Sequence, residues 1–146
     1  MKVIVTGGAG YIGSHTIVEL LAAGFHPIIV DNLCNTDIRN LDGIKAITGE
    51  DVKWYNVDCS KKEKLELVFE KERDIIGAIH FAAYKSVEES VCEPEKYYKN
   101  NISSLEVLLD QMINHKVNNL IFSSSCTVYG TPAMADAWNW ELKKER

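Results

Sequence analysis

The sequence is short of clustered cysteines, of long apolar runs and of proline, and the first two shortages each exclude a class of protein. Its four cysteines are widely spaced and include no Cys-x-x-Cys pair, which argues against a zinc site and against a secreted disulfide framework. The apolar runs are far shorter than the ~20 residues of a membrane span. No signal-peptide pattern precedes the first strand-like run. We therefore expect a reduced, cytoplasmic protein without a metal and without a membrane partner.

An excess of basic residues is also missing. The chain has 16 lysines and arginines against 21 aspartates and glutamates, for a net charge of −5, and the two signs are interspersed. Without a basic stripe to neutralise phosphates, nucleic acid is not an expected partner. The 146 residues are 46% hydrophobic, which is typical of one soluble domain with a continuous core.

What is present is an alternation of short apolar strands with amphipathic helices. The predicted strands are Lys2–Thr6 and residues 27–30, 52–57, 75–81 and 120–124. Helices are predicted from the end of the glycine-rich stretch to Gly24 and over residues 41–48 (weakly), 61–72 and 94–115. Such alternation requires a parallel sheet with right-handed crossovers and helices on both faces. The predicted fold is an α/β, doubly wound, Rossmann-like sheet, incomplete at its C-terminal side with an open edge after the fifth strand.

Two regions carry more specific expectations. The helix over 94–115 has an apolar stripe, predicted to lie in the core or at a subunit interface, formed by Tyr98, Ile102, Leu105, Leu109 and Met112. Residues 131–146 contain no strand and no turn-bounded unit. We expect a domain over residues 1–130 followed by a divergent tail over 131–146.

The first strand runs directly into a Gly7-x-x-Gly10-x-x-Gly13 pattern that opens a helix. In doubly wound sheets a phosphate sits at this place, because unpaired amides and the helix dipole both favour an anion. Gly7 would permit the tight turn, Gly10 the approach of the backbone to a pyrophosphate, and Gly13 close packing of helix and strand. Tyr11 and Ile12 would offer their amides. The alternative is a plain strand-to-helix turn.

Two aspartates follow later strands. Asp31 ends the second strand, about twenty positions after the glycines, where a carboxylate accepts hydrogen bonds from an adenosine ribose and repels a 2′-phosphate. The motif therefore favours NAD over NADP, although a solvated loop carboxylate is the alternative for Asp31 alone. Asp58 ends the third strand and would either accept from adenine or simply start a turn.

Four segments together resemble the UDP-glucose 4-epimerase family of the extended short-chain dehydrogenase/reductases. They are TGGAGYIGSHT (residues 6–16), DNLCN (31–35), HFAAYKSV (80–87) and FSSSCTVYG (122–130). The likeness runs from residue 1 to about residue 130. Within residues 81–90, Lys85, Val87, Glu89 and Ser90 resemble the epimerases more than the sibling nucleotide-sugar dehydratases.

The resemblance implies that NAD accepts a hydride from C4 of UDP-galactose and returns it to the other face of the 4-keto sugar. It implies a catalytic role for Ser125, whose hydroxyl would hydrogen-bond the sugar 4-oxygen. Tyr11 and Ile12 would face the pyrophosphate. The remaining cofactor contacts implied are the ribose residues Asp31, Asn32, Leu33, Cys34, Asn35 and Thr36, the adenine residues Asp58 and Cys59, and, near the nicotinamide, Phe81, Ala82, Ala83, Lys85 and Asn100.

Plainer interpretations stand beside these roles. The alternative for the serine run over residues 123–125 is a simple strand end, since small polar residues cap and turn. Lys85 is by default a solvated lysine and Asn100 an amide on a helix surface. His15 and His80 are expected to pack or to make a structural hydrogen bond.

The sequence departs from the family in ways that bear on chemistry. The family base is a tyrosine followed four residues later by lysine, which lowers the tyrosine pKa, and none of the six tyrosines here has lysine at that spacing. Ala83 and Tyr84 replace the usual Gly-Leu, and Cys126 replaces alanine.

We expect a truncated NAD-binding portion, without the substrate domain and inactive alone. The resemblance implies that its full-length form would bind a UDP-sugar and form a homodimer through the 94–115 helix. The alternatives are another NAD-dependent nucleotide-sugar epimerase or dehydratase and a non-catalytic NAD-binding module.

Overall fold

Five strands and five helices alternate along residues 1–125, the part of the chain that the computed structural model describes. The strands are β1 (Lys2–Thr6), β2 (His26–Val30), β3 (Lys53–Tyr55), β4 (Ile75–His80) and β5 (Asn119–Phe122). The helices are α1 (Tyr11–Ala22), α2 (Arg39–Thr48), α3 (Lys62–Lys71), α4 (Val87–Cys92) and α5 (Pro94–Asn114). Every predicted element is present, and α4 is an addition that the sequence analysis did not predict. Residues 126–130 and the predicted tail over 131–146 lie outside the described residues.

The strands form one parallel sheet in the order β3-β2-β1-β4-β5. The chain therefore builds outward from β1 through β2 to β3, then returns to the other side of β1 for β4 and β5. This confirms the predicted doubly wound, Rossmann-like sheet, with β5 at one edge. The reversal between β1 and β4 is a topological switch point, and ligands of such sheets bind beyond the carboxyl ends of the strands there.

The sheet is covered on both faces, which explains why its central strands are almost continuously apolar. On one face β1 and β2 pack against α3 and α5, in a core cluster that includes Ile4, Ile28, Val30, Leu65, Phe69 and Leu108. On the other face they pack against α1 and α2, through Val3, Val5, Ile17, Ile29 and Ile44. The two layers fix the carboxyl ends of β1, β2 and β4 side by side.

The predicted buried stripe of α5 is wrong as a core stripe in three of its five positions. Tyr98 is 69% exposed and Ile102 47% exposed, and Leu109 is exposed as well. Leu105 is half-buried and only Met112 is buried. The face that packs on the sheet instead carries Tyr97, Ser104, Leu108, Gln111 and Met112. Two of these side chains, Ser104 and Gln111, are polar. A prediction based only on the spacing of apolar residues therefore selects the neighbouring face of the helix.

The amino ends of the strands are held by a buried carboxylate. Glu72, just after α3, binds Lys2 Nζ at 3.0 Å and Tyr55 Oη at 2.6 Å, and it pairs with Lys53. Burial raises the pKa of Glu72, but the hydrogen bonds from Lys53, Tyr55 and Lys2 outweigh this and lower it to about 2. The ion cluster therefore ties β1, β3 and α3 together at the edge opposite the predicted site.

Within residues 1–125, no helix combines the length and the apolar character that crossing a bilayer requires.

Candidate functional site

The predicted site residues gather at the carboxyl edge of the sheet, around the switch point between β1 and β4. The glycine turn follows β1, the loop 31–38 follows β2, residues 56–60 follow β3, and residues 81–86 follow β4. Parallel strands bring these four loops to one edge, as the sequence analysis expected.

Gly7 is a position that only glycine fits. Its φ is +69°, in the left-handed region that side chains rarely adopt. A Cβ there would lie 2.7 Å from Ala82 N and 2.9 Å from Phe81 C. The Gly7 amide donates to Val30 O at 2.9 Å. The turn after β1 is thereby pressed between the ends of β2 and β4.

Gly13 provides the close approach between α1 and this turn. A Cβ on Gly13 would lie 2.2 Å from Gly7 O and 2.7 Å from Gly8 Cα. Gly10 is the N-cap of α1 and donates its amide to Gly7 O at 3.1 Å. Gly8, which the motif analysis did not single out, is needed as well, because a Cβ there would lie 2.9 Å from Val5 O.

The first turn of α1 presents main-chain amides. The helical ladder begins with Ser14 N donating to Gly10 O at 2.8 Å, so the amides of Tyr11, Ile12 and Gly13 precede it and have no acceptor within the helix. Tyr11 is 77% exposed and Ile12 58% exposed. The first turn has no acidic residue and no side-chain cap. Amides and helix dipole together make this end of α1 favourable to an anion.

Asp31 turns toward the glycine turn and is buried, so the alternative of a solvated loop carboxylate is wrong. Its Oδ2 accepts the amide of Ala9 at 3.1 Å. Its Oδ1 accepts from Leu33 N at 2.9 Å and Thr36 Oγ1 at 3.2 Å. An ionised carboxylate offers about four acceptor positions, so about one remains for a further donor beside the turn.

The loop after β2 reaches across to the loop after β4. Asn32 Oδ1 accepts the amide of Cys34 at 3.1 Å, while Cys34 and Asn35 are exposed. The Cys34 side chain neighbours the phenol of Tyr84. Burial raises the pKa of Tyr84, and the adjacent Cys34 raises it further. Tyr84, the departure from the family's Gly-Leu, therefore lies where the two loops come close together.

Asp58 has the geometry of a turn-initiating aspartate. Its Oδ1 accepts from Ser60 N at 2.9 Å and from Ser60 Oγ at 2.7 Å. The turn interpretation is therefore confirmed, and an adenine contact stays a prediction. Cys59 is buried, and burial first, then the charge of Asp58, raise its thiol pKa to about 12, so this thiol stays protonated and unreactive.

Residues 81–85 extend β4 past the glycine turn. Phe81 N donates to Thr6 O at 2.9 Å, and Ala82 lies against Gly7. Ala83 and Lys85 are exposed. Lys85 makes no ion pair within residues 1–125, in agreement with its plain interpretation as a solvated lysine and with its availability to a ligand.

Asn101 is a site-building residue that sequence reasoning missed. Its Oδ1 accepts Tyr84 N at 2.8 Å and its Nδ2 donates to Tyr84 O at 3.0 Å. The predicted site residue Asn100 donates its Nδ2 to Asn101 Oδ1 at 2.9 Å, so it is half-buried against the same loop rather than a plain surface amide. The sequence signal available for these two residues was a pair of adjacent asparagines in a helix whose apolar residues are spaced for packing.

His80 makes the structural hydrogen bond that was expected. It is buried at the end of β4, its Nδ1 lies 2.7 Å from Thr6 Oγ1, and burial lowers its pKa to about 4. His15 packs edge-on against Tyr11, with ring centroids 5.0 Å apart. Neither residue is placed as an acid or base.

Ser125 follows β5 at the same carboxyl edge. Ser123 N donates to His80 O at 3.2 Å, which carries the serine run alongside the end of β4, and Ser125 is exposed. Cys126 and Tyr129 lie outside the described residues. Residues 1–125 contain no group of three His, Cys, Asp or Glu side chains placed to hold a metal ion.

This fold and site define a nucleotide-binding α/β domain, and comparison with known proteins gives its family. The profile of the NAD dependent epimerase/dehydratase family matches residues 3–139, and the chain belongs to that family.

Its relatives within the family include UDP-glucose 4-epimerases. It is 47% identical over 131 residues to that of Dictyostelium discoideum and 49% identical over 131 residues to that of Neisseria meningitidis serogroup B, in each case over 90% of this chain and 38% of the relative. The UDP-glucose 4-epimerase of Bifidobacterium longum, solved with NAD+ and UDP, superposes with a TM-score of 0.86 at 48% identity, over 90% of this chain and 39% of that one. This chain thus spans under two fifths of the length of these relatives.

Proposed function

We propose that this chain binds NAD at the carboxyl edge of its sheet and constitutes the NAD-binding part of a UDP-glucose 4-epimerase, with residues 1–130 as the binding domain. The observation that carries the proposal is the first turn of α1, with three main-chain amides that precede the helical ladder, no acidic residue, and a glycine turn beneath it. A diphosphate supplies the anion that such a helix start favours.

The residues present fit the remaining parts of NAD. Asp31 retains room for about one more donor beside the turn, which suits an adenosine ribose hydroxyl. Asp58 accepts its two turn hydrogen bonds on Oδ1, so Oδ2 is the atom that would meet the adenine amino group. Exposed Lys85 and the half-buried Asn100 lie beside the segment expected at the nicotinamide end. When bound, NAD supplies a hydride acceptor.

We further propose that the whole protein interconverts UDP-galactose and UDP-glucose in the cytoplasm. Two of the structures similar to this chain were solved with UDP or with a UDP-linked sugar as well as NAD: the Bifidobacterium longum epimerase and that of Stenotrophomonas maltophila, with formylated UDP-arabinopyranose. In this proposal Ser125 hydrogen-bonds the sugar 4-oxygen. The exposed side chains of Tyr98, Ile102 and Leu109 on α5 would pair with a second copy.

This chain alone is proposed to bind without turnover. None of its tyrosines has a lysine four residues later, and the loss of a general acid–base costs on the order of 10²–10⁴-fold in rate. The second candidate function is a non-catalytic NAD-binding module. Incubation of the chain with NAD and UDP-galactose tests binding without turnover, which both candidates require, since detectable UDP-glucose would contradict it.

The test of the binding proposal is calorimetric titration of the chain with NAD and with NADP. We expect saturable NAD binding at micromolar strength and NADP binding at least about tenfold weaker, because the 2′-phosphate meets the Asp31 carboxylate. Asp31→Asn should weaken NAD and narrow the difference between the two cofactors, whereas Asp42→Asn, an exposed aspartate of α2, should change neither. Absence of NAD binding by the folded chain would refute the proposal.

A further inference from the structure

The main chain of Ala9, in the middle of the glycine turn, is held from two other elements. Its amide donates to Asp31 Oδ2 at 3.1 Å, at the end of β2. Its carbonyl oxygen accepts from Asn40 Nδ2 at 2.7 Å, in the first turn of α2. Asp31 belongs to the dinucleotide motif. Asn40 belongs to none of the motifs found in the sequence. It lies 31 residues along the chain from Ala9, which its side chain contacts.

The hydrogen bond from Asn40 fixes the peptide plane that leads into α1. The Ala9 carbonyl and the Gly10 amide belong to one planar trans peptide, so they point in opposite directions. The Gly10 amide donates to Gly7 O at 3.1 Å, while the Ala9 oxygen is held on α2. Both ends of the plane are therefore occupied, and rotation would break both bonds.

The orientation of this carbonyl matters for an anion. Its oxygen carries partial negative charge and belongs to the residue two positions before Tyr11 and three before Ile12. Without Asn40 only the hydrogen bond from Gly10 N to Gly7 O holds this peptide plane, and the carbonyl can turn toward the first turn of α1, where it would repel a diphosphate. Since the acceptor is a carbonyl, the atom of Asn40 that faces it is the NH₂ group, and a carboxylate at the same place could not donate.

Asn40 is itself rigidly placed. Asp37 precedes α2, and its carboxylate accepts two hydrogen bonds from Arg39, one from the main-chain amide at 2.9 Å and one from the guanidinium Nε at 2.8 Å. The main-chain amide of Asn40 donates to Asp37 O at 3.0 Å. One turn later, buried Ile44 anchors α2 in the core. The half-buried Asn40 therefore projects from a fixed helix.

We propose that Asn40 is a positioning residue for the phosphate-binding turn, acting through the Ala9 carbonyl rather than by contact with the ligand. The inference rests on the proposed NAD site and deepens it. It requires that the loss of Asn40 weakens ligands that carry a diphosphate and leaves a ligand without phosphate unaffected. A role in stability alone would instead weaken both ligands or neither.

The experiment compares the wild-type chain with Asn40→Asp, which is isosteric but places an acceptor against the carbonyl, and with Asn40→Ala. Asn118→Ala, at an exposed asparagine before β5, is the matched control. Affinities for NAD and ADP are measured by calorimetry, and that for adenosine by NMR shift titration, which reaches millimolar constants. Thermal unfolding of each unliganded variant identifies any that fails to fold, in which case the other variant decides.

We expect NAD and ADP to bind about tenfold more weakly to Asn40→Ala, the change that one hydrogen bond supports, and more weakly still to Asn40→Asp. Adenosine affinity should stay within about twofold of wild type, and Asn118→Ala should match wild type for all three ligands. Unchanged NAD affinity in folded Asn40 variants would overturn the role of Asn40 while the NAD site stands. An equal loss for adenosine would overturn it as well. If the wild-type chain binds no NAD, the proposed function fails and this inference with it.

Discussion

Gly13→Ala is the substitution that most directly probes the contact between α1 and the glycine turn. A Cβ at position 13 would lie 2.2 Å from Gly7 O and 2.7 Å from Gly8 Cα. Both neighbours are main-chain atoms, so no side chain can rotate out of the way. Helix and turn must separate by about 1 Å to restore an ordinary contact, since overlap of this depth is relieved only by backbone shifts.

The expected magnitudes follow from two opposing effects. Alanine in a helix is favoured over glycine by about 1 kcal/mol, whereas backbone shifts from overpacking cost about 1–3 kcal/mol. We expect a net loss of up to about 2 kcal/mol in the free energy of unfolding. Displacement of the α1 amides should also remove at least one charge-assisted hydrogen bond to a diphosphate. Such a bond is worth about 1.5–3 kcal/mol, or about 10- to 100-fold in NAD affinity.

Gly43→Ala provides the matched control, because Gly43 also lies inside a helix, α2, and a Cβ there would meet nothing within 4 Å. It should stabilise the chain by about 0.5–1 kcal/mol and leave NAD affinity unchanged. Urea unfolding and calorimetric titration measure the two quantities. The reasoning is refuted if Gly13→Ala is as stable as Gly43→Ala and binds NAD as tightly as wild type.

Three further predictions concern stability. The folded pKa of Glu72, about 2 against an ordinary 4.5, corresponds to about 3 kcal/mol of stability above pH 4.5 that is lost as the pH falls toward 2. In urea unfolding Glu72→Gln should therefore be less stable than wild type at pH 7, and a gap that does not close on acidification would contradict this. The folded pKa of His80 is about 4, against an ordinary 6.5. Wild-type stability should therefore fall as the pH decreases from 6.5 to 4, because the unfolded chain is protonated at this histidine before the folded chain is. His80→Gln should flatten that dependence of stability on pH. Gln111 is buried with no hydrogen-bond partner for its amide within residues 1–125, so Gln111→Met should raise stability by about 1–2 kcal/mol, and a lower melting temperature would show that the amide is satisfied.

The fold could be predicted because its signals are local. Lys2–Thr6 is β-branched and apolar, the glycines and Gly24 bracket α1, and charged, amphipathic α3 separates two strands. The short helix α4 was missed because its six residues contain no buried side chain and therefore no apolar period. Ser86, whose side chain accepts from Glu89 N, marks its start as a capping serine with glutamate three residues on.

The site was only half predictable, for a physical reason. Gly7 and Gly13 belong to one short turn whose main-chain geometry selects glycine, and Asp31 lies at the spacing that a strand-helix-strand unit sets, 22 positions from Ala9. Asn40 and Asn101 act through tertiary hydrogen bonds that span 31 and 17 positions. Such partners have no fixed spacing, because the distance in sequence depends on the lengths of the intervening loops and helices. Only the packed structure shows which surface-type amide meets which carbonyl.

The hydrogen bonds that build this edge have one feature in common, which bears on how the site would work. Asp31 and Asn40 hold the main chain of Ala9, and Asn101 holds that of Tyr84. These side chains orient peptide groups. The amides of Tyr11, Ile12 and Gly13 at the start of α1 have no acceptor within the helix and no side-chain cap, so they are available to an anion. A site of oriented main-chain dipoles needs little reorganisation when an anion arrives. NAD affinity should therefore depend more on buried Asp31 and the half-buried Asn40 and Asn101 than on exposed residues such as Asn35.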